Sequence, residues 1–555
     1  MRKKRRVYYA DFETTQPDNN NIVEVYLWCM VSGKDEFKGY NIESYINLIS
    51  TLKATIYFHN LKFDFSYIQY YLIKNNIKHE VLEKKGQIYS VKVFDCELRD
   101  SLNFIPMTLK EVGELYCKNY KKTSIDYNVQ RGHKATKEEE DYCILDCRVL
   151  EEGLTNYLYT LEETIRNAGC CEDTCKKVYK KLTNSGIAFE VFKEMSDFER
   201  LCPKTTINEY NAFKGAYKGG YVYSNNMGIV EDVQMIDNNS MYPHIYSTIE
   251  LPFGKPIKCK NFKDCEKYKF YIVHVYIKYE LKEGYIPIIG GSVGKFTTCN
   301  YKASSNGEYE EHTFCNSDLD LIKEFYECDI AYIWGRGFET KPQFFKEYAD
   351  TFIKVKNASK GIKRSVAKVL LNSPYGKTAM NGLTEIKEYF IDEEDNTIKS
   401  NIIGYSVDDG VFQYLPIAIQ ITAGARHLLL TTAKKIGFEN ILYMDTDSIK
   451  FKYKKVDFEF NSDILGMWKD EGRCELFKTI APKKYAYYFE DRIYYTCAGF
   501  NKSILTNEMK HGQQLTRLEA ITLLNRFDSG LQLECLQSKK VNGGRALIPI
   551  KKEIK

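Results

Sequence analysis

The first pattern along the chain is a pair of apolar-rich stretches, residues 438–442 and 449–453, on either side of Tyr443-Met444-Asp445-Thr446-Asp447-Ser448. This predicts a β-hairpin with the acidic pair at or beside its tight turn. Strand alternation then puts Asp445 and Asp447 on one side and Thr446 on the other. A second run, Met235-Ile236-Asp237-Asn238-Asn239-Ser240-Met241-Tyr242-Pro243, reads as a strand that ends at an acidic residue and turns sharply at the proline. A third, from Lys368 to Lys377, reads as a helix end with a glycine stop at Gly376. Lys360, Lys363, Arg364 and Lys368 form a basic stripe on that helix, which a solvated face explains equally well. Near the N-terminus, Val7 to Thr15 reads as a strand carrying Asp11 and Glu13 on one face, and Tyr142 lies one helical turn before Asp146.

Two carboxylates as close as Asp445 and Asp447 repel unless a cation lies between them, and hard oxygen ligands favour Mg²⁺ or Mn²⁺. An aspartate-rich turn that bonds its own backbone accounts for the same residues. The order of the segments separates these readings. Asp237-x-x-Ser240-x-Tyr242-Pro243, Lys368-x-x-x-Asn372-Ser373-x-Tyr375-Gly376 and Tyr443-x-Asp445-Thr446-Asp447-Ser448 resemble, in order, the three polymerase motifs of the family B DNA polymerases. The resemblance is nearer to the protein-primed branch, the phage replicases of the phi-29 type. It includes Tyr217-x-Gly219-Gly220, Lys483-x-Tyr485 and Val541-Asn542-Gly543-Gly544, and runs nearly end to end.

The resemblance implies a DNA-directed DNA polymerase with two divalent ions per active site, Mg²⁺ with Mn²⁺ as substitute, set about 3.5–4 Å apart. It makes Asp237 and Asp447 the principal metal ligands, with Asp445 beside them and Asn238 offering its backbone carbonyl. Lys368, with Lys356 and Arg364 one to three turns earlier, would grip the triphosphate of the incoming dNTP. Asn372 belongs to the same nucleotide site, Tyr375 would line the nascent base pair, and Tyr242 would exclude a 2′-hydroxyl. Among the 44 tyrosines only these motif positions lift Tyr242 and Tyr375 above core packing. Tyr217, Gly219, Gly220, Ser240, Gly376, Thr446, Lys483 and Tyr485 would contact DNA.

Asp11 and Glu13, then Asp64 in Phe58-His59-Asn60-Leu61-Lys62-Phe63-Asp64, then Asp146 resemble the motifs of 3′–5′ proofreading exonucleases. Four carboxylates suit a second two-ion hydrolytic site, and Tyr142 would orient the attacking water. Lys122 matches a lysine that assists such a centre. Thr14, His59, Asn60, Phe63, Ser101 and Leu102 match positions that hold a frayed single-stranded end, with Phe63 offering a stacking surface.

Composition limits this picture without redrawing it. A chain of 555 residues needs several cores, and 44% hydrophobic with 28% charged residues describes a globular protein. No apolar run spans a bilayer and no secretory signal follows Arg2-Lys3-Lys4-Arg5-Arg6, so the cytoplasm of a bacterial host is expected. Net charge of +4 decides little, since a basic channel and acidic metal sites offset each other. Lys539, Lys540, Arg545, Lys551, Lys552 and Lys555 against Glu553 suit duplex phosphates. The 17 cysteines form no paired Cys-x-x-Cys set and read as reduced thiols; Cys143 and Cys147 share a helical face.

The expected fold is multidomain, α/β and α+β, with an RNase H-like exonuclease domain over residues 1–178 and a right-hand polymerase domain. Its palm would comprise 179–248 and 410–506, its fingers 344–382 and its thumb 507–555. An insertion at 249–343 would contact a terminal-protein primer, and one at 383–409 would encircle template and separate strands. A polymerase extending nucleic-acid primers and a non-catalytic DNA-binding relic are the other readings; the complete carboxylate set argues against the relic.

Overall fold

The computed structural model describes residues 5–84, 86–125, 128–293, 298–408, 410 and 412–554. Arg2, Lys3, Lys4 and Lys555 of the basic termini lie outside the described residues. Among the described residues no helix is long and apolar enough to cross a membrane.

The first unit is built on a seven-stranded mixed sheet. Strand Arg6–Thr14 runs parallel to Ala54–Phe58, which runs parallel to Cys96–Asp100; the outer strands are antiparallel. Along Arg6–Thr14, Tyr8, Ala10 and Phe12 pack with helices Ile42–Ser50 and Leu61–Lys74, whereas Tyr9 joins the core beneath the long helix Lys137–Asn167. Asp11 and Glu13 share the parity of Tyr9 and therefore face that helix. The helix begins with a capping box in which Thr136 and Glu139 satisfy each other's backbone N–H groups. Residues 59–60 and 101–102 follow directly on the carboxyl ends of two parallel strands, where open α/β sheets form their crevices.

A second seven-stranded sheet, wholly antiparallel, holds strands Val230–Asn238, Ile441–Asp445, Ser448–Lys452 and Trp468–Ala481 at its centre. The largely buried helix Leu415–Ile436 and helix Met241–Thr248 support one face of it. Residues 249–343 contribute a four-stranded antiparallel sheet with helix Asn316–Phe325, and helices Lys346–Ala358 and Gly361–Asn372 pack on each other.

Three local expectations are corrected. Pro243 makes no turn: it sits in the first turn of helix Met241–Thr248, where its missing N–H is free of cost, and the chain reverses at Ser240 with φ 55°. Gly376 is no helix stop. Helix Gly361–Asn372 ends at Ser373, and Pro374 opens a further helix, Pro374–Thr378, that contains the glycine. Lys356 lies not on the helix of Lys368 but on the preceding one, with its carbonyl accepting from Arg364 Nη1 at 2.8 Å.

The units close into a ring. Glu83 of the first sheet accepts from Lys387 (2.8 Å) and Tyr389 (3.0 Å) of hairpin Leu383–Ile391/Ile398–Val407. Lys540 of the C-terminal hairpin Gln532–Val541/Gly544–Glu553 donates to the Ile398 carbonyl at 2.6 Å. The tip of that hairpin returns to the first unit, where Val23 N–H donates to the Asn542 carbonyl (3.0 Å) and Tyr70 Oη to Asn542 Oδ1 (2.9 Å). A Cβ on Gly543 would stand 2.4 Å from the Val23 carbonyl oxygen, so only glycine allows this docking.

Two candidate active sites

In the first unit, Asp11, Glu13, Asp64 and Asp146 are brought together in one buried cluster. Burial and the neighbouring Asp146 push Asp11 up to about 7. Burial, then Asp11, push Glu13 and Asp64 well above the usual carboxylate range. Asp146 is also raised by burial, against the pull of Lys122, whose ammonium pairs with it. Lys122 Nζ donates to Tyr142 Oη at 2.6 Å and lies 4.7 Å from that ring's centroid. Asp146 Oδ1 is buried without a partner. An orphaned carboxylate oxygen amid mutually repelling carboxyls fits a cation-binding site.

The six neighbours drawn from the sequence divide by role. Burial pulls His59 down to about 4, so its ring is neutral; Nε2 donates to the Met107 carbonyl and Nδ1 accepts from Ser101 Oγ, both at 2.8 Å. Ser101 is wholly buried and committed to His59, so it orients that ring rather than presenting its own hydroxyl. Asn60 stands in the left-handed region at φ 73° and gives its N–H to Asp100 Oδ1 (3.1 Å), which also accepts from Leu102 N–H (3.0 Å). Sequence reasoning missed Asp100, the hinge between these loops. Phe63 and Thr14 stay partly exposed at the rim.

In the second sheet the expected hairpin forms around a two-residue turn, Thr446-Asp447. The strand stops at Asp445, so Asp447 falls in the turn rather than on the strand, yet Asp445 stays near enough for its charge to raise Asp447 after burial itself. Asp445 turns to Lys483 Nζ (2.9 Å) and the Tyr443 hydroxyl (3.3 Å). Asp447 is carried to the neighbouring strand, where its carbonyl accepts from Asn238 N–H at 2.7 Å. Asp237 pairs in register with Ser448; burial and Asp447 push it up to about 7, and burial raises Asp447 as well. The Asn238 side chain is buried and donates to the Gly466 carbonyl (2.7 Å), leaving its backbone at the site. Lys450, buried against the rings of Tyr443 and Tyr485 and unrecognised in the sequence, opposes the charge of both Asp237 and Asp447.

Thr446 is a β-branched residue at φ 59°, a strained conformation that its surroundings must impose. Its N–H donates to the Tyr221 carbonyl (2.9 Å), and a Cβ on Gly220 would lie 2.3 Å from its Oγ1. The Tyr217–Gly220 segment is held in turn by Arg426 Nη1, which donates to the carbonyls of Lys218 (2.7 Å) and Gly219 (2.8 Å). Arg426 also makes a two-pronged pair with Asp318, buried like itself. A lone arginine in the apolar run 415–433 was the signal for this support.

Across the site, Lys356 Nζ donates to Asn239 Oδ1 and Ser240 Oγ, both at 3.0 Å, and Arg364 and Lys368 depress its proton affinity after burial itself. These three cations therefore converge although two helices supply them. Asn372 Nδ2 donates to the Lys368 carbonyl (3.0 Å), and Gly376 has open space beside it. Tyr242 and Tyr375 stack with centroids 4.3 Å apart and planes at 26°, with Tyr217 nearby. Tyr485 lies 4.7 Å from Tyr443, centroid to centroid.

The family model of DNA polymerase type B, organellar and viral, matches residues 47–140 and 128–414. The chain belongs to this family. It is 28% identical over 520 residues to the DNA polymerase of Bacillus phage B103, spanning 87% of this chain and 86% of that one. The DNA polymerase of Bacillus phage phi29 is 28% identical over 517 residues, with 87% and 86% covered, and that of Streptococcus phage Cp-1 is 26% identical over 516. The solved phi29 DNA polymerase in complex with primer-template DNA and incoming nucleotide substrates matches all of both chains, with a TM-score of 0.85 and 25% identity. This family B chain is a DNA-directed DNA polymerase with the multidomain α/β architecture expected of it.

Proposed function

We propose that this polymerase copies a viral genome from a terminal-protein primer, proofreads with its own 3′–5′ exonuclease and displaces the strand ahead of it. On this reading residues 1–178 are the exonuclease domain, 179–248 and 410–506 the palm, 344–382 the fingers and 507–555 the thumb. The insertion at 249–343 receives the terminal protein and that at 383–409 separates strands.

The observation that carries the reading is the presence of two separate carboxylate clusters, each raised in proton affinity by burial and then by its own neighbouring carboxylates. Such groups ionise together only beside a cation. Two Mg²⁺ ions at each cluster would supply an activated hydroxyl or water and charge neutralisation at the leaving oxygen. Asp237, Asp447 and the Asn238 carbonyl would hold them at one site, and Asp11, Glu13, Asp64 and Asp146 at the other. Asp445, tied to Lys483, anchors the turn beside the primer end. Lys356, Arg364 and Lys368 bind the dNTP phosphates, and the stacked Tyr242 and Tyr375 bound the space for sugar and base. Lys122 and Tyr142 set the position of the water for hydrolysis.

A cavity of about 1480 Å³ lies between the first unit, residues 180–204, helix Gly361–Asn372 and the 383–407 hairpin, and Lys84, Lys180, Lys181, Lys204 and Lys377 line it. With Lys193 these lysines outnumber the lining acids Glu83, Glu190 and Glu199, and a net positive lining suits a single strand. The domain assignment and both activities meet one test. Asp11→Ala with Asp64→Ala should abolish 3′–5′ degradation and spare extension of a primed template, and Asp447→Ala should do the reverse. Loss of all synthesis in the first double variant would overturn the two-site reading. Deoxynucleotide transfer onto a candidate terminal protein, with no oligonucleotide present, separates protein priming from ordinary priming.

A further inference from the structure

Cys143 lies on helix Lys137–Asn167, three residues before Asp146, and it is wholly buried. Its sulfur lies 3.5 Å from the Asp11 carbonyl, and ligand atoms of Cys143, Asp11 and Glu13 all fall within 4.8 Å of one another. Among the described residues this is the one place where three such groups approach so closely. Asp146, also buried, pairs with Lys122 and leaves Oδ1 unpartnered, and its charge acts on both Asp11 and Glu13. We propose that Asp11, Glu13 and the Cys143 thiolate form a binding site for a soft divalent cation of the zinc class, which locks the exonuclease centre while leaving synthesis running.

The donor set decides the selectivity. Zinc takes sulfur at about 2.3 Å and carboxylate oxygen at about 2.0–2.2 Å in tetrahedral sites, often with three protein ligands and one open position. The sulfur and the two carboxylate oxygens lie within 4.8 Å of one another, close enough to share one cation, and the thiol proton leaves to solvent on binding. Mg²⁺ demands octahedral oxygen and makes no use of the sulfur, so the thiol favours the soft ion over the hard one at shared carboxylates. Asp237 and Asp447 belong to no such mixed cluster, so the polymerase site lacks this trap. The effect on degradation rests on the exonuclease reading; the binding site itself does not.

The test uses the full-length, reduced, metal-free protein with Cys171, an exposed thiol, replaced by serine in every sample to lower background. Cd²⁺ is titrated and the ultraviolet thiolate-to-cadmium charge-transfer band is recorded, with circular-dichroism melts to verify folding. Cys143→Ser and Cys143→Ala should each weaken the band's apparent affinity roughly 10–100-fold, the scale on which metal-site residues act. Cys147→Ser, one turn further along the same helix, should retain the band. Unchanged titration of both Cys143 variants, or a band that follows Cys147 instead, overturns the proposal. At fixed Mg²⁺, rising Zn²⁺ or Cd²⁺ should stop single-strand degradation at concentrations that spare primer extension, each variant being scaled to its own rate in Mg²⁺ alone. Loss of both activities together overturns the selective lock. A protein that degrades nothing in Mg²⁺ alone defeats the exonuclease reading, while the cadmium band still decides the site.

Discussion

Removing the charge of Asp318 should cost a large part of this protein's stability. The Asp318 and Arg426 side chains are 8% and 7% exposed. Arg426 gives Asp318 hydrogen bonds of 2.7, 2.9 and 3.0 Å, and Lys218, half-buried nearby, is a second cation looking to the same carboxylate. Asp318→Asn keeps the shape but leaves the buried Arg426 uncompensated, a change that typically costs about 3–5 kcal/mol. Against a total of about 5–15 kcal/mol for native proteins, that is about a fifth or more of the whole. Arg426 also positions the Gly219-Gly220 segment against the Thr446 turn, so extension should fall beyond what unfolding explains. Urea unfolding of the wild type, Asp318→Ala, Arg426→Ala and the double variant measures the coupling, with unfolding rates replacing equilibria if refolding fails. A coupling within about 1 kcal/mol of zero, or an Asp318→Asn protein as stable as wild type, would refute the argument.

Tyr242→Val should raise ribonucleotide incorporation with deoxynucleotide addition retained, because it opens the space bounded by the Tyr375 stack; unchanged discrimination in single-nucleotide assays would make Tyr242 a packing residue. Replacing the 383–407 hairpin by a short linker should spare gap filling but stop synthesis at a downstream duplex, where each base-pair step costs about 1.4 kcal/mol to open. Continued copying of long duplex templates by a folded deletion would sink the strand-separation role. Burial and neighbouring carboxylates push Asp11 and Asp237 up to about 7, so the folded metal-free protein holds protons that unfolded carboxylates near 4 release. Stability from these sites is therefore present in acid and lost as pH rises through about 7, and Mg²⁺, which binds the ionised form, should raise the melting temperature more at about pH 8 than at about pH 6. An equal shift at both pH values would contradict the assignment.

The sequence by itself determined the local chemistry. Alternation along Arg6–Thr14 put Asp11 and Glu13 on one face, a single helical turn joined Tyr142 to Asp146, and apolar runs around 445 marked the hairpin. These are properties of three to six neighbouring residues, which backbone periodicity ties to each other whatever the rest of the chain does. Where a turn or a proline altered that periodicity, local reading failed. Thr446 at φ 59° places Asp447 in the turn instead of on the strand, and Pro374 opens a new helix that carries on through the glycine read as a stop. Only the tertiary structure decided which distant groups meet. Asp318 and Arg426 are separated by more than a hundred residues and pair because two helices pack together, while Lys356 reaches the cations of the next helix through an antiparallel turn. Cys143 comes to stand beside Asp11 and Glu13 in the same way, through the contact of one helix with one strand. Burial gives such meetings their consequences, since carboxylates and cations that water would leave indifferent to each other repel or bind strongly once it is excluded.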